Sequence, residues 1–341
     1  MFDDVYVAHT MTMPVSRERL IELLHRVTGK RILVIGDAML DVYLTGDVER
    51  ISPEAPVPVV RVRNRSNALG GAANVAQNVV AVGAMCDLVA AVGDDAAGAT
   101  LRSMLTALGA GDDNVVSVDR CTTQKTRILA RGQQLVRVDE EEDSDLTSHE
   151  TALLLERVRA AMIVADAVVL EDYNKGVLTG QLITEVLTLA TARSLPVVVD
   201  PKYRNFFLFR GATIFKPNRR ELEAALGAAF DVDHPETLPT TLQRLGVANL
   251  LLTLGERGMV LFSQRGEIAR VPTVARQVYD VVGAGDTVTA YLATVLAVGG
   301  TPAEAAVIAN IAAGIEVGKL GAATVSAVEV IEYADSHALI A

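Results

Sequence analysis

One recurring unit constrains this chain most: a short apolar run, polar residues or glycine at its end, then a helical stretch. Residues 31–35 end in Gly36-Asp37, 88–92 in Gly93-Asp94-Asp95, and 167–170 in Glu171-Asp172. Further on, 196–199 end in Asp200-Pro201-Lys202, 213–215 in Lys216-Pro217-Asn218 and 250–254 in Gly255-Glu256. Strands buried on both faces read as continuous apolar runs, and helices between them imply a mostly parallel sheet covered on both sides. The polar run ends then gather along the carboxyl edge of the sheet, where such folds bind ligands. Residues 259–263 and 268–271 are expected to close the sheet as an antiparallel edge.

The helices carry their own signals. Ser16 caps a helix of Leu20, Leu23, Leu24 and Val27 that stops at Gly29. Thr301-Pro302-Ala303-Glu304 and Ser326-Ala327-Val328-Glu329 open the last two with capping-box spacing. Residues 1–15 lack periodicity and are expected to be a loose leader before one domain over 16–341. Two stretches break the pattern. Residues 46–68 are proline-studded and alternating, and 122–139 contain an alternating pair around Gly132-Gln133. They predict a small antiparallel lid sheet, with Arg127, Arg131 and Arg137 available to face a ligand.

Composition narrows the function. The 341 residues carry 42 acidic against 31 basic side chains, a net charge of −11, which favours neither nucleic acid nor an anionic membrane. No apolar run approaches the roughly 18 residues needed to span a bilayer, and a cytoplasmic location is expected. Cys86 and Cys121 are isolated, so neither a disulfide framework nor a structural zinc site is expected.

The densest chemical motif lies at 278–287. Gly283-Ala284-Gly285-Asp286 precedes an apolar run from Val288 to Val298. At a helix start, unpaired N–H groups and the dipole form an anion site. Asp286 beside it suits a general base, or merely a dipole-favoured aspartate. Gly70-Gly71-Ala72-Ala73-Asn74 opens another helix, with Asn74 able to donate and accept. Asp37 and Asp41 follow the first strand, where they suit sugar hydroxyls or simply a turn and a cap. Other templates fail. No P-loop, dinucleotide fingerprint, H-E-x-x-H or G-x-S-x-G occurs.

These motifs, with Asn218-Arg219-Arg220-Glu221 and Thr253-Leu254-Gly255-Glu256-Arg257-Gly258, resemble the ribokinase-like (PfkB) carbohydrate kinases over nearly the whole chain. The resemblance implies an α/β ribokinase-like fold, ATP and Mg²⁺, with room for a monovalent cation. Asp286 resembles the catalytic base, and Gly283, Ala284 and Gly285 the anion hole. Asn218 and Glu221 match the element organising Mg²⁺ through water, and Thr253, Gly255 and Gly258 the ATP segment. Asp37, Asp41, Gly71 and Asn74 match sugar contacts. Val282 departs from the threonine common in the family.

Within the family, residues 36–43, 50–59, 171–176 and 200–202 look like the bacterial heptose-7-phosphate kinase branch. That implies phosphorylation at C1 of D-glycero-β-D-manno-heptose 7-phosphate, on the route to ADP-heptose and lipopolysaccharide core. Asp172 falls among these substrate-side matches, and Arg137, Lys175 and Lys202 are candidates for the substrate phosphate. With no H-x-G-H motif present, the chain resembles a stand-alone kinase, and family lids imply a homodimer. The alternatives are a kinase for ribose, a ketose phosphate or a nucleoside, or a catalytically silent binding regulator.

Overall fold

The computed structural model describes residues 9–10, 15–234, 237–275, 278–319 and 321–337. In chain order the first half holds β1 (His9–Thr10), α1 (Arg17–Arg26), β2 (Arg31–Gly36), β3 (Ala38–Ile51), β4 (Pro58–Gly71), α2 (Ala72–Val82), β5 (Met85–Gly93), α3 (Ala96–Leu108), β6 (Val115–Val118), β7 (Gln124–Ala130) and β8 (Gln133–Glu140). The second half adds α4 (Ser148–Met162), β9 (Ala167–Glu171), α5 (Gly180–Ala192), β10 (Val197–Asp200), β11 (Ile214–Phe215), α6 (Arg219–Leu226), α7 (Leu238–Leu245), β12 (Asn249–Thr253), β13 (Met259–Ser263), β14 (Glu267–Val271), α8 (Ala284–Ala297), α9 (Pro302–Glu316) and α10 (Ala327–His337).

The main sheet is ten-stranded, in the order β1-β14-β13-β12-β11-β10-β9-β2-β5-β6. From β12 to β6 its pairs are parallel, and β12–β13 and β13–β14 form the expected antiparallel edge. The apolar runs work as their doubly buried character requires. In β2, Ile32 and Val34 enter the core under α1, α2, α8 and α9, while Leu33 and Ile35 enter the core under α4 and α5. Each such side chain contributes roughly 1.5–3 kcal/mol of burial. Helix α8 is buried from Asp286 to Leu296, which is why its sequence carries no charged residue beyond Asp286.

The lid is a four-stranded sheet, β4-β3-β7-β8. Its outer pairs are antiparallel and β3–β7 is parallel. It is longer than expected: β3 starts at Ala38, directly after the first body strand, and β4 runs to Gly71. Asp41 therefore belongs to a lid strand and not to the end of β2. The β3–β4 ladder slips at Thr45/Gly46 and at Val48/Arg50. The hairpin turn is Arg131-Gly132, both at positive φ, one residue earlier than expected. Within the leader, His9 and Thr10 pair with β14 and are not loose. Residues 1–8 and 11–14 lie outside the described residues.

Candidate active site

The first turn of α8 meets two other elements at one carboxylate. Asn74 Nδ2, from α2, donates to Asp286 Oδ2 at 2.7 Å, and the Tyr173 hydroxyl donates to Oδ1 at 2.9 Å. Asp286 is 5% exposed. Burial pushes its carboxyl up to about 6, against the pull of the Asn74 and Tyr173 hydrogen bonds. The approach of α2 depends on Gly71, which ends β4 and caps α2 at φ 57°, ψ −135°. A Cβ there would lie 2.3 Å from the Asp37 carbonyl oxygen.

Gly283 caps α8 at φ 97°, leaving the first-turn N–H groups of Ala284 and Gly285 without intrahelical acceptors. Lys216 Nζ lies 3.7 Å from where a Gly285 Cβ would stand and is ion-paired to Asp200 at 2.8 Å. Asp200 is in register with Glu171 across β10 and β9. Ligand oxygens of Glu171, Asp200 and Asp286 lie within 4.8 Å of one another. Burial, then Asp200 and Asp286, drives the Glu171 carboxyl well above its usual range. Lys216 and Lys202 hold Asp200 low in spite of its own burial. Behind Gly283 stands Glu316, buried, its oxygens without a hydrogen-bond partner among the described residues. Burial, then Asp280 and Asp286, pushes it up to about 8, so it is mainly uncharged at neutral pH.

A cavity of about 550 Å³ opens beside the α8 N-terminus, lined by Asn218, Thr253, Gly255, Gly258, Ala284 and Gly285 among others. Apolar Met259, Val281 and Val288 supply part of its wall. Of the expected nucleotide and anion-hole residues, Asn218, Thr253, Gly255, Gly258, Ala284 and Gly285 thus share one cavity, and Glu221 and Gly283 do not line it. Asn218 and Glu221 form a capping box on α6, and the other Glu221 oxygen takes Lys202 Nζ at 2.8 Å.

On the sugar side several positions differ from expectation. Asp37 is 1% exposed, and its carboxylate accepts the backbone N–H groups of Tyr173, Lys175 and Val177 at 2.7, 3.0 and 3.1 Å. Hydrogen bonds to a charged group contribute about 1.5–3 kcal/mol each, so Asp37 anchors the loop after β9 and has little left for a hydroxyl. Asp41 is bonded to Arg127, which stacks over Tyr43 at 5.4 Å. Asp172 accepts from the Asn174 N–H at 2.7 Å, and burial, then Asp37, pushes it up to about 6. Arg137 is paired with Asp139 on its own strand at 2.8 Å and half exposed. Lys175 pairs with Glu141 at 2.8 Å. Lys202 is paired with Glu221 at 2.8 Å and Asp200 at 3.6 Å and lies over the Tyr173 ring at 5.1 Å.

Tyr173, Glu171, Asp200 and Lys216 were not among the expected site residues. The last three carry a readable signal, a charged residue directly after a fully apolar strand. Tyr173 carries none, because its reach is set by the Asp37-anchored loop. Removing its hydroxyl in Tyr173→Phe takes a stabilising donor from ionised Asp286. The acid limb of the pH–rate profile is expected to move from about 6 toward neutrality, with kcat at pH 8 lowered by roughly tenfold or less.

A mostly parallel ten-stranded sheet with helices on both faces, joined to a four-stranded second sheet, is the ribokinase-like fold. Residues 30–329 match the model for the pfkB family carbohydrate kinases. The chain is similar to the bifunctional protein HldE of Rhodospirillum rubrum, 42% identical over 320 residues, covering 92% of this chain and 64% of that protein. Bifunctional protein HldE of Citrifermentans bemidjiense is 44% identical over 321 residues, 93% and 66% of the respective chains. The chain thus spans about two thirds of the length of these relatives. Arabidopsis thaliana ribokinase, solved with ribose and ATP, superposes with a TM-score of 0.70 at 22% identity, covering 90% of this chain and 99% of that one. Phosphofructokinase-2 from Escherichia coli gives 0.72 at 17% identity, with 90% and 99% covered. The chain belongs to the PfkB family of carbohydrate kinases.

Proposed function

We propose that the chain transfers the γ-phosphoryl group of ATP to the C1 hydroxyl of D-glycero-β-D-manno-heptose 7-phosphate, on the route to ADP-heptose and lipopolysaccharide core. The observation carrying the chemistry is Asp286, buried, clamped by Asn74 and Tyr173 and set in the turn that forms the anion hole. The substrate rests on the HldE relatives and on the 36–43, 50–59, 171–176 and 200–202 segments. Asp286 takes the C1 hydroxyl proton as that oxygen attacks phosphorus, while backbone N–H groups and Lys216 face the developing charge.

Mg²⁺ fits this site. Both Glu171 oxygens lack a hydrogen-bond partner among the described residues and lie beside Asp200, an oxygen-only set suited to a hard cation. Glu171 and Asp200 would hold it, with Asn218 and Glu221 acting through water. Asp286 is left as base because its oxygens already serve Asn74 and Tyr173. The ion would neutralise phosphate charge.

A substrate panel tests the proposal. ADP formation should be fastest with the heptose 7-phosphate, and equal turnover of ribose or free hexoses would assign the enzyme to another branch of the family. A cytoplasmic site of action belongs to the same reading. Among the described residues no helix is long and apolar enough to cross a membrane. A homodimer through the lid is also proposed. Val136 and Val138 are each 47% exposed, on the lid face opposite Arg127 and Arg137. Light scattering at micromolar concentration should give twice the chain mass of 36.2 kDa, and a monomer would remove this part.

A further inference from the structure

The lid register sorts its side chains into two faces. Asp41, Lys125 and Asp139 lie in register across three strands, and so do Tyr43, Arg127 and Arg137 two residues further on. Side chains two apart share a face, so one lid surface carries this whole set. The Asp41–Arg127 pair places that surface toward the sugar side, because Asp41 Oδ2 lies 2.8 Å from where a Gly70 Cβ would stand, next to Gly71 and α2.

Opposite this surface the body presents Lys175, two residues beyond the tyrosine that holds Asp286. Glu141, just after β8, joins them: its carboxylate meets Lys175 Nζ at 2.8 Å and Lys125 Nζ at 3.3 Å. Lys125 also reaches Asp139 at 3.5 Å. The side chains of Lys125, Arg127 and Lys175 are 15, 12 and 14% exposed, so their charges are poorly screened. Four cations, with Arg137 on Asp139 at 2.8 Å among them, meet three carboxylates there, and one carboxylate bridges a cation of the lid to a cation of the body. Burial works against the charge on Glu141, yet Lys175 and Lys125 hold its carboxyl below the usual range.

We propose that Lys125 and Lys175 form the subsite for the phosphate monoester at the far end of the sugar, and that Glu141 occupies it until substrate arrives. A phosphate near neutral pH carries about −1.5 to −2 charge and three acceptor oxygens. It therefore competes with a single carboxylate for both lysines and replaces one lid-to-body bridge with a stronger one. Selection for a phosphorylated sugar and the bridging of the lid root to the body become one event. The inference rests on the sugar-phosphate reading above and names the residues that would enforce it.

The test measures kcat/KM for the heptose 7-phosphate and for the unphosphorylated heptose, in wild type, Lys125→Gln, Lys175→Gln and Glu141→Gln. Wild type should prefer the phosphorylated sugar by on the order of 1000-fold, and each lysine variant should cut that ratio by on the order of 100-fold. Glu141→Gln should raise the ratio several-fold, since a competitor of the phosphate is gone. A latch that only holds the lid predicts the opposite sign there, with both sugars turned over more slowly. If wild type shows no preference, the sugar-phosphate reading itself fails. If wild type prefers the phosphate and all three variants keep its ratio, that reading stands and the subsite lies elsewhere. Circular dichroism confirms that each variant is folded, and inorganic phosphate as competitive inhibitor gives a second readout. Its Ki should rise in both lysine variants, and an unchanged Ki would count against the subsite.

Discussion

Replacing Asp286 with asparagine is expected to lower kcat by roughly two to four orders of magnitude while ATP still binds. Asparagine keeps the shape and can still meet Asn74 and Tyr173, but it cannot take a proton. The loss should appear in kcat and in kcat/KM for the sugar, with the ATP dissociation constant changed only a few-fold. In wild type, activity should rise as pH increases through about 6, where burial has placed this carboxyl. The variant's residual activity should lack that limb. The same shift has a stability consequence of known sign. A carboxyl raised in the fold contributes stability below its unfolded value, and that contribution is lost as pH climbs through about 6. Asp286→Asn should therefore melt at or above the wild-type temperature at pH 8, which separates lost chemistry from lost structure. Near-normal turnover would remove Asp286 from the proposed mechanism.

Gly71→Ala is expected to destabilise the protein by roughly 3–5 kcal/mol, or to prevent folding. Two costs add. Its φ of 57° with ψ −135° is open to glycine and strained for other residues. A new methyl would also meet the Asp37 carbonyl oxygen at 2.3 Å, a backbone atom that cannot swing aside. Any folded fraction should be inactive toward sugar, because relieving the clash displaces the first turn of α2 and with it Asn74. Urea unfolding reports the first effect as a lowered midpoint at similar slope. Gly132→Ala makes the control, since it too has positive φ but no atom within 4 Å of the added carbon. Equal losses in the two variants would show that backbone strain alone decides, and that the close approach to Asp37 is unimportant.

The body of the fold was legible because its strands are buried on both faces. Runs such as 31–35 and 196–199 have no polar alternation, and the polar residue closing each run lands on the ligand edge. The Gly283–Asp286 turn was legible for a similar reason, as small residues and a carboxylate stand before a helix with no further charged residue. Contacts between elements distant in sequence were not legible. The Lys216–Asp200 pair joins neighbouring parallel strands, and parallel pairing gives no local sign of its register. Asp37 reads equally well as a sugar ligand or a turn residue until three N–H groups converge on it. The lid was underestimated at its root. Residues 38–45 mix aspartate, tyrosine and apolar side chains, which hides an alternation only the β3–β7 register reveals. Arg137 could have been discounted from the sequence. Asp139 lies two residues along, on the same strand face, close enough to neutralise it.

The seam between β4 and α2 has a mechanical consequence. The strand ends at Gly71 and the helix starts at Ala72, so lid and body share an unbroken rod, wedged against the Asp37 carbonyl where it changes form. A rod seated that way has no pivot at its base. Higher up, the ladder is interrupted twice, at Thr45/Gly46 and at Val48/Arg50, where a bulged strand bends. The lid then works like a flap hinged partway along its length. Bending at those interruptions would move the tip alone, while the root that carries Asp41, Gly70 and Lys125 keeps its place against α2.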